Sequence, residues 1–117
     1  HIDRLPIEHQ QKAFASWPGP FTWLLPKSAL TPSWVSGDSD LVAVRVSNHP
    51  LVQKMCLLVG SPMVSTSANP ASMEPARSGD EVCSYFGHDL LIIDGSLGEQ
   101  RTPSTIINGL NLETLRA

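Results

Sequence analysis

The chain has 117 residues, 41% apolar and 16% charged. That balance suits one folded domain with a modest core and excludes a disordered chain or one built of membrane spans. The formal net charge is −3, and the cations Arg4, Lys12, Lys27, Arg45, Lys54, Arg77, Arg101 and Arg116 are dispersed, which gives no support for a dominant nucleic-acid surface.

The first residues, His1-Ile2-Asp3-Arg4, carry no signal-peptide character and no initiator Met, which points to a fragment or a processed chain. Residues 6–16 read as a helix, with Pro6 in the first turn and Ile7, Ala13 and Phe14 near one face. Trp17-Pro18-Gly19-Pro20 ends it, since proline cannot donate to a helix ladder. Phe21–Leu25 is a short apolar strand, and residues 27–40, with Pro32, Gly37 and several Ser, read as a loop. Leu41–Val46 is a near-continuous apolar run that suits a covered strand, with Arg45 inside it. A helix follows, with Asn48 as expected N-cap, Pro50 in the first turn and Gly60 as the stop. Its stripe is Leu51, Val52, Met55, Leu58 and Val59.

Met63–Ser67 reads as a strand running into Ala68-Asn69-Pro70, and residues 70–78 as a loop. Ser78 is the expected cap of a short helix over 79–86, closed by Gly87. Leu90–Ile93 reads as a buried strand, followed by a loop to Pro103. Ser104–Ile107 and Leu112–Leu115 read as strands joined at Asn108-Gly109, a hairpin turn signal. The order of elements predicts an α/β fold with a mixed sheet and helical crossovers, over residues 1–117 as a single domain.

Four features could carry chemistry. Ser65-Thr66-Ser67-Ala68-Asn69 ends an apolar run with three hydroxyls and an amide. Such residues can hold phosphate or carboxylate oxygens, or form a polar turn that bonds its own backbone. Arg45 within an apolar strand requires either an acidic protein partner or an anionic ligand. Pro18-Gly19-Pro20 makes a stiff turn that fixes where Thr22 points, which can be wholly architectural. Thr102-Pro103-Ser104-Thr105 is a second hydroxyl cluster entering a strand. No phosphate-binding glycine loop and no defensible Ser/His/Asp order is present. Cys56 and Cys83 lack zinc or redox spacing and read as reduced, and the histidines match no metal spacing, so no protein metal site is expected.

Taken in order, Pro18-Gly19-Pro20-Phe21-Thr22, Val42-Ala43-Val44-Arg45-Val46 with His49-Pro50, Ser65-Thr66-Ser67-Ala68-Asn69 and Pro103-Ser104-Thr105-Ile106 resemble the YrdC-like family over nearly the whole chain. The resemblance implies a twisted mixed β-sheet with flanking helices. It also implies condensation of L-threonine, bicarbonate or CO2, and ATP into threonylcarbamoyl-adenylate and pyrophosphate. That product feeds the t6A modification of adenosine 37 in tRNAs reading ANN codons, a cytoplasmic task shared with other t6A-pathway proteins. Mg2+ is expected on the triphosphate.

By matching motif, Arg45 looks like the clamp for the threonine carboxylate, and Ser65 and Ser104 look like further threonine contacts. Ser67, Asn69, Thr22 and Arg77 look like nucleotide contacts, with Thr22 bracing the turn and Arg77 a solvated loop charge as alternatives. The family often has Ser-Gly shortly after the Asn, where this chain has Ala71-Ser72. The family's N-terminal part, with a threonine-contacting segment and a Lys/Arg-Pro motif for ATP phosphates, is not among these residues, so the domain is expected to be N-terminally incomplete. Three other readings stay open: an RNA-binding or ribosome-maturation module touching tRNA or double-stranded RNA, a carbamoyl-transfer domain, and a catalytically incomplete fragment.

Overall fold

Trp23 and Leu25 are the residues around which the sheet is set. They alternate with Thr22 and Leu24 along strand β1, Phe21–Pro26, and only the odd-numbered pair is buried. Side chains two apart on a strand share a face, so Trp23 and Leu25 point together at helix α1, Ile7–Ser16. There they pack with Ala13, fully buried, and with Leu5, which follows a single 3-10 turn at Ile2–Arg4. Two indoles fasten the helix end to the strand. Trp23 Nε1 donates to Ser16 Oγ at 2.9 Å, and Trp17 Nε1 donates to the Phe21 carbonyl at 2.8 Å.

In the computed structural model, which describes residues 1–98 and 102–117, the chain divides into two units. The first comprises residues 1–60 and 100–117 and the second residues 61–99. Arg101 and the middle of the expected loop before Pro103 lie outside the described residues.

The first unit carries a four-stranded mixed sheet in the order β2-β1-β3-β4, where β2 is Leu41–Val44, β3 Thr105–Asn108 and β4 Thr114–Arg116. β2 runs antiparallel to β1, β3 parallel to β1, and β4 antiparallel to β3. The α/β class and mixed sheet are as expected. Strand β2 stops at Val44 instead of Val46, so Arg45 lies outside it and is exposed. The stretch expected as pure loop contains a one-turn helix, α2, at Ser33–Ser36. Helix α3, Pro50–Val59, ends at Gly60 in a left-handed conformation, as expected. Its cap is His49 in place of Asn48, because Nδ1 of His49 accepts from the Leu51 amide at 3.2 Å.

The β3–β4 connection is longer than a two-residue turn. Asn108 N donates to the Glu113 carbonyl and Leu112 N to the Asn108 carbonyl, so the loop spans residues 109–113 and β4 starts later than expected. Asn108 Oδ1 accepts from Leu110 N, an Asx turn that offers the backbone an alternative to the tight hairpin. Gly109 sits buried beneath Leu5, and a Cβ there would stand 2.7 Å from the Leu24 carbonyl oxygen. Its own carbonyl meets His9 Nδ1 at 2.7 Å, tying the loop to α1.

The second unit contains helix α4, Gly79–Phe86, capped by Ser78 as expected, with Ser78 Oγ accepting from Glu81 N at 3.1 Å. Arg77 N in turn donates to Glu81 Oε2 at 3.3 Å, so the helix start is held from both sides. Met63–Ser67 and Leu90–Ile93 do not form strands. A strand needs a neighbouring ladder, and neither segment pairs with one among the described residues. Leu91 is accordingly 86% exposed. No helix among the described residues is long and apolar enough to cross a membrane.

Candidate functional site

In the first unit, chemistry gathers on the sheet face opposite α1. Thr22 Oγ1 and Ser104 Oγ are 2.6 Å apart and partly buried. The parallel register sets this up: Thr22 pairs with Ile106, and Ser104, two residues before Ile106, shares its face. The Pro18-Gly19-Pro20 turn holds the entrance of β1 in place. Gly19 N donates to the Val46 carbonyl at 2.9 Å, and Thr105 N donates to the Pro20 carbonyl at 3.0 Å. Gly19 is buried, and a Cβ on it would stand 3.0 Å from the Ser16 carbonyl oxygen. The turn therefore clamps the end of α1, the exit of β2 and the start of β3 at one point.

Arg45 follows β2 at this same end of the sheet. Trp23 pairs with Val44, so continuing the register by one residue brings Arg45 opposite Thr22. Arg45 was expected to be a buried cation in need of a partner. It is exposed instead, and among the described residues its guanidinium meets no carboxylate and no hydrogen-bond acceptor. Remaining in water, it carries little desolvation cost and stays available for an anionic ligand.

Reading sequence alone passed over Arg116. On β4 it pairs with Ile106, and its Nε donates to the Ser104 carbonyl at 2.9 Å while Nη2 donates to Ser104 Oγ at 3.2 Å. The cross-strand row therefore runs Arg45, Thr22, Ile106, Arg116, with Ser104 bonded to both Thr22 and Arg116. The outer arginine backbones are three strand spacings apart, about 14 Å. The signal that could have found Arg116 is the expected return strand after Asn108-Gly109, which had to bring some residue back beside Ser104.

The second unit holds Ser65, Ser67, Asn69 and Arg77. Ser65, Thr66 and Ser67 are exposed, and their hydroxyls meet no partner among the described residues. The chain then turns: Asn69 N donates to the Ser67 carbonyl at 3.1 Å, and Ala76 N donates to the Ala68 carbonyl at 2.9 Å, closing the loop. Asn69 Nδ2 donates to the Pro70 carbonyl, whereas its Oδ1 is buried with no donor among the described residues. Buried acceptors are nearly always satisfied, so this atom is suited to a donor from water or a ligand. Tyr85 Oη donates to the Glu74 carbonyl at 2.9 Å and pins the far side of the loop to α4. Ser72 has a φ of +67°, a left-handed conformation that glycine adopts without strain. Arg77 is exposed, with no partner for its guanidinium among the described residues.

Comparison with known proteins identifies the family. A family model described as "Telomere recombination" (Sua5_yciO_yrdC) matches residues 2–117. A threonylcarbamoyl-AMP synthase of Pseudoalteromonas atlantica is 56% identical over 103 residues, 88% of this chain and 55% of that protein. One of Photorhabdus laumondii is 46% identical over 115 residues, 97% of this chain and 61% of that protein. The chain thus spans little more than half the length of these relatives. Among solved structures, Sua5 of P. abyssi complexed with L-threonine aligns with a TM-score of 0.80 at 34% identity, covering 90% of this chain and 31% of that one. A double variant of P. abyssi Sua5 aligns with a TM-score of 0.85 at 32% identity, covering 95% and 34%. A match over almost every residue, carried by relatives at such identity, leaves one conclusion: the chain belongs to the Sua5/YciO/YrdC family.

Proposed function

We propose that the protein carrying this chain is a threonylcarbamoyl-AMP synthase, a nucleotidyltransferase acting in tRNA t6A modification in the cytoplasm. The observation that carries the reading is the Arg45–Thr22–Ile106–Arg116 row. Two guanidinium groups without a carboxylate partner among the described residues flank a hydroxyl pair on one sheet face. That is a receptor for a small anion bearing hydrogen-bonding groups, and L-threonine has a carboxylate, a hydroxyl and an amine.

The reaction joins three parts. The threonine amine adds to CO2 and releases a proton, giving a carbamate. A carbamate oxygen then attacks the α-phosphorus of ATP, the bond to the β-phosphate oxygen breaks, and pyrophosphate leaves. The protein's task is positioning and charge neutralisation. In this reading Arg45 clamps the threonine carboxylate, with Ser65 and Ser104 as further threonine contacts. Ser67, Asn69, Thr22 and Arg77 serve the nucleotide, and Asn69 Oδ1 offers a buried acceptor with no partner among the described residues. The residues do not fit a metal cage. Among the described residues no three of His, Cys, Asp and Glu gather, and hydroxyls, an amide and guanidinium groups suit anionic oxygens instead. Mg2+ in this reading travels with the triphosphate, and no step is assigned to it.

The test is pyrophosphate release by the full-length protein with ATP and bicarbonate, with and without L-threonine. Release that requires threonine is expected, and release indifferent to threonine overturns the reading. RNA binding that collapses with salt, in place of that activity, would favour an RNA-binding module.

A further inference from the structure

We propose that Asn108-Gly109 is a self-modification site: the Gly109 amide nitrogen closes on the Asn108 carboxamide and converts it to aspartate or isoaspartate, and the hydrogen bond from that amide to the Leu24 carbonyl is the latch that holds the reaction off.

The chemistry needs only water. Hydroxide removes the Gly109 N–H proton, and the nitrogen attacks Asn108 Cγ. An N–Cγ bond forms, the carboxamide nitrogen takes up a proton and leaves as ammonia, and a five-membered cyclic imide remains. Water then breaks one of the two carbonyl–nitrogen bonds of the imide. Cleavage at Cγ gives aspartate, and cleavage at the former main-chain carbonyl gives isoaspartate. One water is consumed and one ammonia released, and nothing is oxidised or reduced.

The fold builds both halves of this reaction and keeps them apart. Asn108 Oδ1 accepts from Leu110 N at 2.9 Å, which turns the carboxamide toward the Gly109 peptide and polarises Cγ. Gly109 has no side chain to shield its nitrogen, and none fits, since a Cβ would stand 2.7 Å from the Leu24 carbonyl oxygen. Packing thus demands the residue that makes the dipeptide reactive.

Against this, the nitrogen is engaged. Gly109 N donates to the Leu24 carbonyl at 2.9 Å, so its proton is not free for removal. Asn108 is the last residue of β3, in register with Leu24, and its main chain is extended. Closing the imide turns that torsion far from extended and breaks the Leu24 bond. Three further bonds fasten the loop: Asn108 N to the Glu113 carbonyl and Leu112 N to the Asn108 carbonyl, both at 2.8 Å, and His9 Nδ1–H to the Gly109 carbonyl at 2.7 Å. Conversion therefore waits for the loop to open, and its rate follows the open population. The isoaspartate product has an extra carbon in the main chain where these bonds converge, so the loop does not relatch. Asn111 is an internal comparison. Its Oδ1 accepts from Glu113 N at 2.8 Å in a like turn, but the side chain of Leu112 crowds the nitrogen that would attack.

The experiment incubates the full-length protein at mildly alkaline pH as native wild type, wild type unfolded in urea, native His9→Ala, and wild type at rising urea below the unfolding transition. Peptide mapping by mass spectrometry follows conversion at Asn108 and Asn111, and NMR follows hydrogen exchange of the Gly109 amide in the folded samples. In unfolding urea Asn108 should convert faster than Asn111. Native wild type should convert at least about tenfold more slowly than the unfolded chain, as expected for a site exposed only by local opening. His9→Ala should raise Gly109 exchange and Asn108 conversion together by about fivefold, the size of one lost hydrogen bond. The urea series tests the same parallel if His9→Ala does not fold. Equal rates in native and unfolded protein overturn the latch, as does Gly109 exchange that accelerates while conversion does not. Absence of conversion at Asn108 in unfolding urea removes the site itself.

Discussion

Thr22 and Ser104 stand 82 residues apart in the chain, yet their hydroxyl oxygens meet at 2.6 Å. The contact joins the first and third strands of the chain, which lie side by side in parallel, and it exists only if Thr22 keeps its register with Ile106. Thr22→Val keeps the β-branched shape that strands favour and removes the hydroxyl. We expect a stability loss of about 1 kcal/mol, the net worth of one hydrogen bond, with the sheet intact. Urea unfolding followed by Trp fluorescence measures it, and a loss above about 3 kcal/mol would mean that Thr22 braces the turn beyond this one bond.

Arg45 separates function from stability. It is exposed and unpaired among the described residues, so Arg45→Ala should change the unfolding free energy by no more than about 0.5 kcal/mol. In the full-length protein the same change should weaken threonine binding more than ATP binding, by about tenfold or more for a charged contact. Calorimetric titration with each substrate decides the point, and equal losses of both affinities would count against a carboxylate clamp.

Gly109 has no room to grow. A Cβ would meet a backbone oxygen at 2.7 Å and both Leu5 methyl carbons at 3.0 and 3.1 Å. The backbone oxygen is already bonded to the Gly109 amide and cannot withdraw cheaply. Gly109→Ala should cost about 1–3 kcal/mol through overpacking. It should also loosen His9 from the loop carbonyl, visible as a shift of the His9 ring resonances. A neutral thermal shift would show that the loop can slide.

Ser72 offers the reverse case. Its φ of +67° costs an L-residue about 1–2 kcal/mol, and glycine there would forfeit part of the gain through its own chain entropy. Ser72→Gly should therefore stabilise the loop by roughly 0.5–1 kcal/mol. Slower hydrogen exchange of the Ala76 amide, which closes the loop onto Ala68, is the local readout. Faster exchange would mean that the serine hydroxyl contributes more than its backbone strain removes.

Much of the first unit was legible from residue pattern. Helix α1, strand β1, the Pro18-Gly19-Pro20 stop and the Gly60 cap follow from local rules that tertiary contacts do not override. The errors share a physical origin in partners distant along the chain. Met63–Ser67 and Leu90–Ile93 have strand composition, but composition cannot supply the neighbour that a ladder needs. His49 displaced Asn48 as a cap because its ring nitrogen, by its place in the turn, reaches the Leu51 amide. Of the candidate site, Thr22, Arg45 and Ser104 could be named from motifs, whereas Arg116 could not. One unpaired residue decides which side of β4 it occupies, and no local preference announces that residue.

The bulge at Leu115 makes the site a matter of parity. Ile107 pairs with Thr114 and Ile106 with Arg116, so Leu115 is an extra residue, and its lack of a partner sets whether a cation or an aliphatic chain is presented beside Ser104. Lengthening the loop itself leaves that parity untouched, because the pairing of Ile107 with Thr114 restarts the count. Straightening the strand inverts it: with Leu115 paired to Ile106 the strand could still pair and the core behind Trp23 could still close, while Arg116 would share the face of Thr114 and turn toward α1. A homologue or designed variant can therefore preserve the whole fold, every motif and every side chain of this row, and still lose the anchor of Ser104 by one residue of register.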